Sequence, residues 1–257
     1  MITSYLEYFW KAKDEHSLHS PFVFELYTQI IKKSEEEYYA YAEIEQLRKN
    51  LLSTTETIEV QDFGAGSKIN KTPQRAIRDI AKNATKNTQI GQLLFRLVNR
   101  FQPKNVIDLG TCLGITTAYL ASPVPKSTIY TFEGSENLIK LAQTHFKILG
   151  LFNIKPVLGN IDDTLPATLD MLEKVDFAFI DANHRYEPTM RYFEQILSKS
   201  HEDTVIILDD IYWSDEMKKA WKNVVSHPQV MISIDLFWIG IVFLRKKQPK
   251  QHFTLKF

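Results

Sequence analysis

The chain has 257 residues, 44% of them hydrophobic and 24% charged, with equal numbers of basic and acidic side chains and a formal net charge of zero. This is ordinary for a soluble globular protein of one domain or one domain plus an extension, and it gives no electrostatic case for a nucleic-acid or membrane partner. A single cysteine, Cys112, excludes an internal disulfide and suits a reducing compartment, and no apolar run nears the roughly 18 residues of a membrane span, so the expected location is the cytoplasm.

The opening MITSYLEYFWKAK carries Glu7 within its apolar part and has no small-residue cleavage site, so it does not read as a signal peptide. Residues 1–82 read as a helical, polar-aromatic region. Tyr5, Tyr8, Phe9 and Trp10 make a first apolar cluster, suited to a partner or a homodimer surface. Ser20-Pro21 reads as an N-cap with proline at the first helical position, and Phe22, Leu26 and Ile30 then share one face. Tyr38, Tyr41, Ile44, Leu47 and Leu51 mark a second helix. A glycine loop at Asp62–Ser67 has a polar run before it and no helix after it, and reads as a surface turn or as a flexible loop that covers the site. A short helix over 76–84 and another from Gly91 to near Pro103 follow.

From there strands and helices alternate. Strands are predicted at 105–109, 127–133, 154–158, 175–181 and 204–209. Helices are predicted from Ile115, Ser135, Pro166, Pro188 and Ser214. Two last strands, 230–236 and 239–245, are joined too tightly for a crossover and should form a hairpin. The predicted fold is α/β: a Rossmann-like, doubly wound, seven-stranded and mostly parallel sheet with an antiparallel C-terminal hairpin. The domains expected are a helical extension, 1–82, and the α/β domain, 83–257.

Residues 105–121, NVIDLGTCLGITTAYLA, read as strand, glycine loop and helix, the unit that cradles nucleotides in such folds. Gly110 permits a sharp turn and Gly114 a close approach of backbone to ligand. The middle glycine of the dinucleotide fingerprint is replaced by Cys112, which suits a ligand with no pyrophosphate at this turn. Glu133 ends the second strand about 25 positions after Asp108, near the spacing at which an acid meets ribose hydroxyls. Asp181 ends the fourth strand, and Asp209 and Asp210 end the fifth. Converging carboxylates repel, so a proton, a divalent cation or helix N-termini must relieve them; all three readings stay open. His184, on the loop after Asp181, is a candidate general base or a histidine bonded to a carboxylate. Tyr212 and Trp213 are wall residues of an aromatic substrate pocket or part of the core.

Taken together, residues from about 83 to 245 resemble a class I S-adenosylmethionine-dependent methyltransferase, most of all the catechol O-methyltransferase-like branch of small-molecule O-methyltransferases. The resemblance runs through the glycine loop, Glu133, FIDANHRY, LDDIYW and the closing hairpin. It implies that Asp108, Gly110, Thr111 and Gly114 serve the methionine part of S-adenosylmethionine. It implies Glu133, with Gly134 and Ser135, for the ribose, and the Asn160-Ile161-Asp162 loop beside the adenine. The 83–91 segment would fold over the cofactor, which Asp181 would also touch. Metal-dependent members hold a divalent ion such as magnesium with two aspartates and an asparagine; Asp181 and Asp209 fall on the aspartates and Asp210 where the asparagine would be. His184 sits where those members often place a lysine base, so Asp181 and His184 are the catalytic candidates. The implied partner is a small-molecule acceptor, methylated on a hydroxyl oxygen. Two other classes stay open: a nicotinamide-dependent oxidoreductase, which would carry G-x-G-x-x-G, and a non-catalytic interaction protein on the same fold.

Overall fold

The computed structural model describes residues 2–33, 36–61, 73–246 and 248–257, so the glycine turn at Asp62–Ser67 lies outside the described residues. The chain forms two compact units, one of residues 34–168 and one that joins residues 1–33 to 169–257.

The second unit begins with α1 (Ile2–Lys11), which buries Ser4 and Tyr8. The helix α2 (Pro21–Leu26) starts as predicted, with Ser20 Oγ accepting the Val23 N–H at 3.5 Å and Pro21 in its first turn. A π-turn over Tyr27–Ile31 follows, closed by the Lys32 N–H on the Tyr27 carbonyl at 2.8 Å. Its extra residue rotates the register. The buried face is Val23, Leu26, Tyr27 and Ile31; Leu26 is shared with the predicted face, and Phe22 and Ile30 lie one position off it.

In the 34–168 unit, α3 (Tyr39–Ser53) buries Tyr41, Ile44, Leu47 and Leu51 at helical spacing. Its Glu45 accepts from the Tyr119 hydroxyl at 2.6 Å, Thr88 Oγ1 at 2.9 Å and Arg48 Nε at 3.0 Å. A small antiparallel pair, β1 (Thr57–Glu59) and β2 (Gln74–Ala76), precedes α4 (Ile77–Asn83). Asn87 Oδ1 takes the Ile90 N–H at 2.9 Å and so starts α5 (Thr88–Phe101) ahead of Gly91. Then come β3 (Asn105–Leu109), α6 (Ile115–Ala121), β4 (Thr128–Glu133), α7 (Glu136–Ile148), β5 (Ile154–Leu158) and α8 (Ile161–Asp170). The three strands are parallel with β4 in the middle. Val106, Ile107 and Leu109 have no exposed surface, as expected of a strand covered on both faces. Helix α8 begins before the predicted Pro166 because Asn160 supplies a cap: its side chain accepts the Asp162 N–H at 3.1 Å and its carbonyl the Thr164 N–H at 3.0 Å. Asp162 and Asp163 in the first turn suit the helix dipole.

The remaining elements belong to the other unit: β6 (Val175–Ile180), α9 (Tyr186–Ser198), β7 (Ser200–Asp209), α10 (Asp215–Ser226), β8 (Ile232–Asp235), β9 (Ile239–Phe243) and β10 (Gln251–Thr254). Strands β6 and β7 are parallel neighbours, and β9 pairs antiparallel with both β7 and β8, the predicted hairpin. Strand β10, which the sequence reading does not foresee, adds a parallel edge to β8.

Gly114 stands at the start of α6 with φ 79°, and a Cβ there would lie 2.6 Å from the Phe146 ring and 3.2 Å from Ala142 Cβ on α7. A helix thus closes on the backbone at this glycine. Gly114→Ala combines a left-handed backbone with overpacking and is expected to cost about 2–4 kcal/mol, read as a lowered Tm.

Candidate functional site

In the 34–168 unit, Asp108 lies on β3 with no exposed surface. Its Oδ2 accepts from Thr117 Oγ1 on α6 and from Thr131 Oγ1 on β4, both at 2.7 Å. Thr111 Oγ1 lies 2.6 Å from Thr131 Oγ1, continuing the chain of hydroxyls into the loop. A carboxylate that accepts two hydroxyls satisfies part of its large desolvation cost. Its role is to bind β3, β4, the loop and α6 together. Sequence reasoning missed Thr117 and Thr131. The available signal was a polar residue at a fully buried position of each element, which needs a partner.

The loop is shaped by backbone. Gly110 takes φ 108° and Cys112 φ 49°. The N–H groups of Gly110 and Thr111 donate to the Phe132 carbonyl at 3.1 and 2.9 Å. Glu133 closes the arrangement: Oε2 accepts the Cys112 N–H and Oε1 the Ser135 N–H, each at 2.9 Å. These two bonds, one to each oxygen, fix the carboxylate's orientation. Ser135 stands at the N-cap of α7, yet its hydroxyl makes no capping bond and instead takes the Gln61 N–H at 3.4 Å. Gly134 lies between these anchors. Asn160 and Ile161 begin α8 immediately past β5, which neighbours Glu133 through its Leu158. His145, with its pKa lowered by burial, places Nδ1 2.8 Å from the Leu113 carbonyl and ties α7 to the loop. A cavity of about 340 Å³ in this unit lies among Tyr39, Glu43, Ser122 and Leu149–Asn153, before β4 and β5 begin.

In the other unit, the parallel pair β6 and β7 brings the predicted acids together. One ligand atom from each of Asp181, His184 and Asp209 lies within 4.8 Å of the others, and His184 Nε2 is 3.4 Å from Asp181 Oδ1. Asp209 is buried; Asp181 and His184 are partly exposed. Asn183 and His184 both hold positive φ, 66° and 42°, and the His184 N–H donates to the Ala182 carbonyl at 2.8 Å. Two adjacent non-glycine residues in that region are uncommon, and such strain clusters at functional sites. Asp210 is not in this group. Its backbone turns to φ 52° with its N–H on the Trp238 carbonyl at 2.8 Å, and the histidine takes the third place predicted for it. The mixed carboxylate and imidazole set can orient a neutral imidazole or ligate a divalent ion.

Of the two aromatics read as pocket wall or core, Trp213 is exposed and Tyr212 is packed. Tyr212 stacks on Phe237 at 5.1 Å and donates to Asp235 Oδ2 at 2.6 Å. The cleft among Asp210, Tyr212, Trp213, Phe237 and Trp238 holds about 10 Å³, room for about one water.

Residues 107–211 match a family described as a methyltransferase domain. The chain is similar to the catechol O-methyltransferase of Niastella koreensis, 30% identical over 124 residues, which are 47% of this chain and 55% of that protein. It is also similar to the catechol O-methyltransferase of Mycobacterium tuberculosis, 26% identical over 127 residues, 49% of this chain and 56% of that protein. The chain spans about half the length of the curated relatives it matches. The fold is shared with the SAH-bound methyltransferase PaMTH1 of Podospora anserina (TM-score 0.60, 15% identity, 89% of this chain and 97% of that one). It is shared too with an O-methyltransferase of Bacillus cereus in complex with SAH (TM-score 0.55, 19% identity, 84% and 96%). No helix among the described residues is long and apolar enough to cross a membrane.

Thr117→Val removes one hydroxyl from the buried Asp108 carboxyl while keeping the side chain's shape. It is expected to lower stability by about 1–3 kcal/mol, measured as an earlier urea midpoint with unchanged slope.

Proposed function

We propose that this chain, a class I methyltransferase by its fold and by the domain in residues 107–211, transfers a methyl group from S-adenosylmethionine to a hydroxyl oxygen of a small molecule. The observation that carries the proposal is the Glu133 carboxylate, fixed by the Cys112 and Ser135 N–H groups at the mouth of the glycine loop. An acid so oriented suits a vicinal pair of ribose hydroxyls. The residues fit the cofactor. Gly110, Thr111 and Gly114 shape the turn beside it, and Asp108 holds that turn from beneath. Glu133, Gly134 and Ser135 take the ribose, and Asn160 and Ile161 serve the base. We assign residues 83–257 to the transferase and 1–82 to an accessory region, in the cytoplasm.

S-adenosylmethionine supplies an already electrophilic methyl carbon. What remains for this chain is to hold the acceptor in line and to remove its hydroxyl proton. His184 is the proton acceptor in this reading. Asp181, 3.4 Å from Nε2, orients the ring and stabilises the charge that it gains. A second reading rests on the trio of Asp181, His184 and Asp209 around one point. A divalent cation held there would lower the acceptor's pKa, and the histidine would then be a ligand and not a base.

Calorimetric titration should show binding of both S-adenosylmethionine and S-adenosylhomocysteine; no binding at millimolar ligand removes the proposal. Glu133→Gln replaces an acceptor with an amide that cannot receive both N–H groups at once, and should weaken binding about tenfold or more. His184→Gln should leave S-adenosylhomocysteine affinity unchanged and lower kcat about 10²–10⁴-fold. Exhaustive EDTA treatment separates the two readings: activity that survives it excludes the cation.

A further inference from the structure

We propose that the cavity at the start of β4 and β5 is a ligand site apart from the cofactor's, built for a small organic cation: a protonated amine on an apolar body. Its volume of about 340 Å³ falls at the lower end of the range of small-molecule sites. It lies wholly in the 34–168 unit and shares no residue with the acid trio. Asn153 on its wall precedes β5, whereas Asn160 and Ile161, assigned to the cofactor's base, follow it. Five residues of strand put about 16 Å between the two.

The walls are fixed by hydrogen bonds. The Tyr39 hydroxyl, at the start of α3, donates to the Ser122 carbonyl just past α6 at 2.6 Å. Asn153 Nδ2 donates to the Ala121 and Val124 carbonyls at 3.1 and 3.0 Å. The end of α7 closes in a Schellman arrangement. The Leu151 N–H donates to the Phe146 carbonyl at 2.9 Å and the Gly150 N–H to the Lys147 carbonyl at 3.1 Å, with Gly150 at φ 67°. Walls set in advance lose little freedom when a ligand enters.

The charge of the lining has one sign. Glu43 stands one turn after Tyr39 on α3, exposed and with no ion pair to any described residue. Helices α6 and α7 both end at the cavity, and helix C-termini carry partial negative charge. Among the described residues, no lysine, arginine or histidine lines it. Tyr39 and Phe152 are 72 and 86% exposed, and aromatic faces attract cations. An anion would meet a carboxylate and two carbonyl ends. An ammonium group instead gives its N–H donors to Glu43, and its apolar body covers the two rings.

Calorimetric titration of the full chain with 2-phenylethylamine at about pH 7, where the amine is protonated, should show saturable one-to-one binding. Its neutral and anionic counterparts, 2-phenylethanol and 3-phenylpropionate, should bind at least about tenfold more weakly. Glu43→Gln should raise the amine Kd about tenfold. Phe152→Leu keeps apolar bulk but removes the ring, and should raise it about two- to fivefold. Both positions are exposed, so Tm should stay unchanged. Glu136→Gln, at the other end of α7, should leave the Kd within about twofold. No saturation up to about 10 mM amine overturns the proposal, as does equal affinity for the amine and the alcohol. So does an amine Kd that Glu43→Gln leaves unchanged, which would place the binding elsewhere on the chain.

Discussion

The Asp108 carboxyl lies on an apolar strand with no exposed surface, and its oxygens need donors. Thr117 and Thr131, from two other elements, both donate to Oδ2, and Thr111 extends the chain of hydroxyls into the loop. A buried polar group left without partners costs several kcal/mol, so β3, β4 and α6 must meet in one register or not at all. That single requirement sets where the glycine loop leaves the strand. It also sets where Glu133, two residues beyond Thr131 on β4, ends up.

Glu133 answers the same geometric problem from the exposed side. Its two oxygens reach the backbone of two different loops, at Cys112 and at Ser135. The carboxylate is thus both a brace and a binding group, which explains why the middle position of the loop tolerates a cysteine. What matters at residue 112 is its N–H, not its side chain. The acids of the other unit follow a different logic. Asp181 and Asp209 converge because β6 and β7 are parallel neighbours ending together. His184 joins them only because the chain after Asp181 turns back through two left-handed residues.

Much of this was legible beforehand. Alternating apolar runs and helical periodicities located the central strands, and the tight spacing of the last two announced their hairpin. What escaped the sequence shares a cause: it depends on partners distant along the chain. At Pro21–Ile31 the apolar residues run nearly all round the helix, so periodicity alone could not choose Val23 and Ile31 over Phe22 and Ile30. The start of α8 was set by Asn160, a weaker local signal than Pro166. His184, and not Asp210, stands with Asp181 and Asp209, and the Asp210 N–H is held by the Trp238 carbonyl. Strand β10 is too short and too polar to announce itself, and exists because β8 offers it an edge. Asp181 and Asp209 were found because abrupt ends of apolar runs are local features.

The pairing of residues 254–256 with Lys13 and Tyr8 has a consequence for the order of assembly. The 34–168 unit is continuous in sequence and its contacts are available once those residues have been synthesised. The other unit is split, and its first segment finds its partners only when residues near 255 emerge. Chains fold as they are made, N-terminal part first, and long-range contacts form slowly. Helix α1 therefore spends the whole of translation without its dock, with the Tyr5–Trp10 aromatics and Tyr8 exposed together. Tyr8 is thus among the last side chains of this unit to be buried.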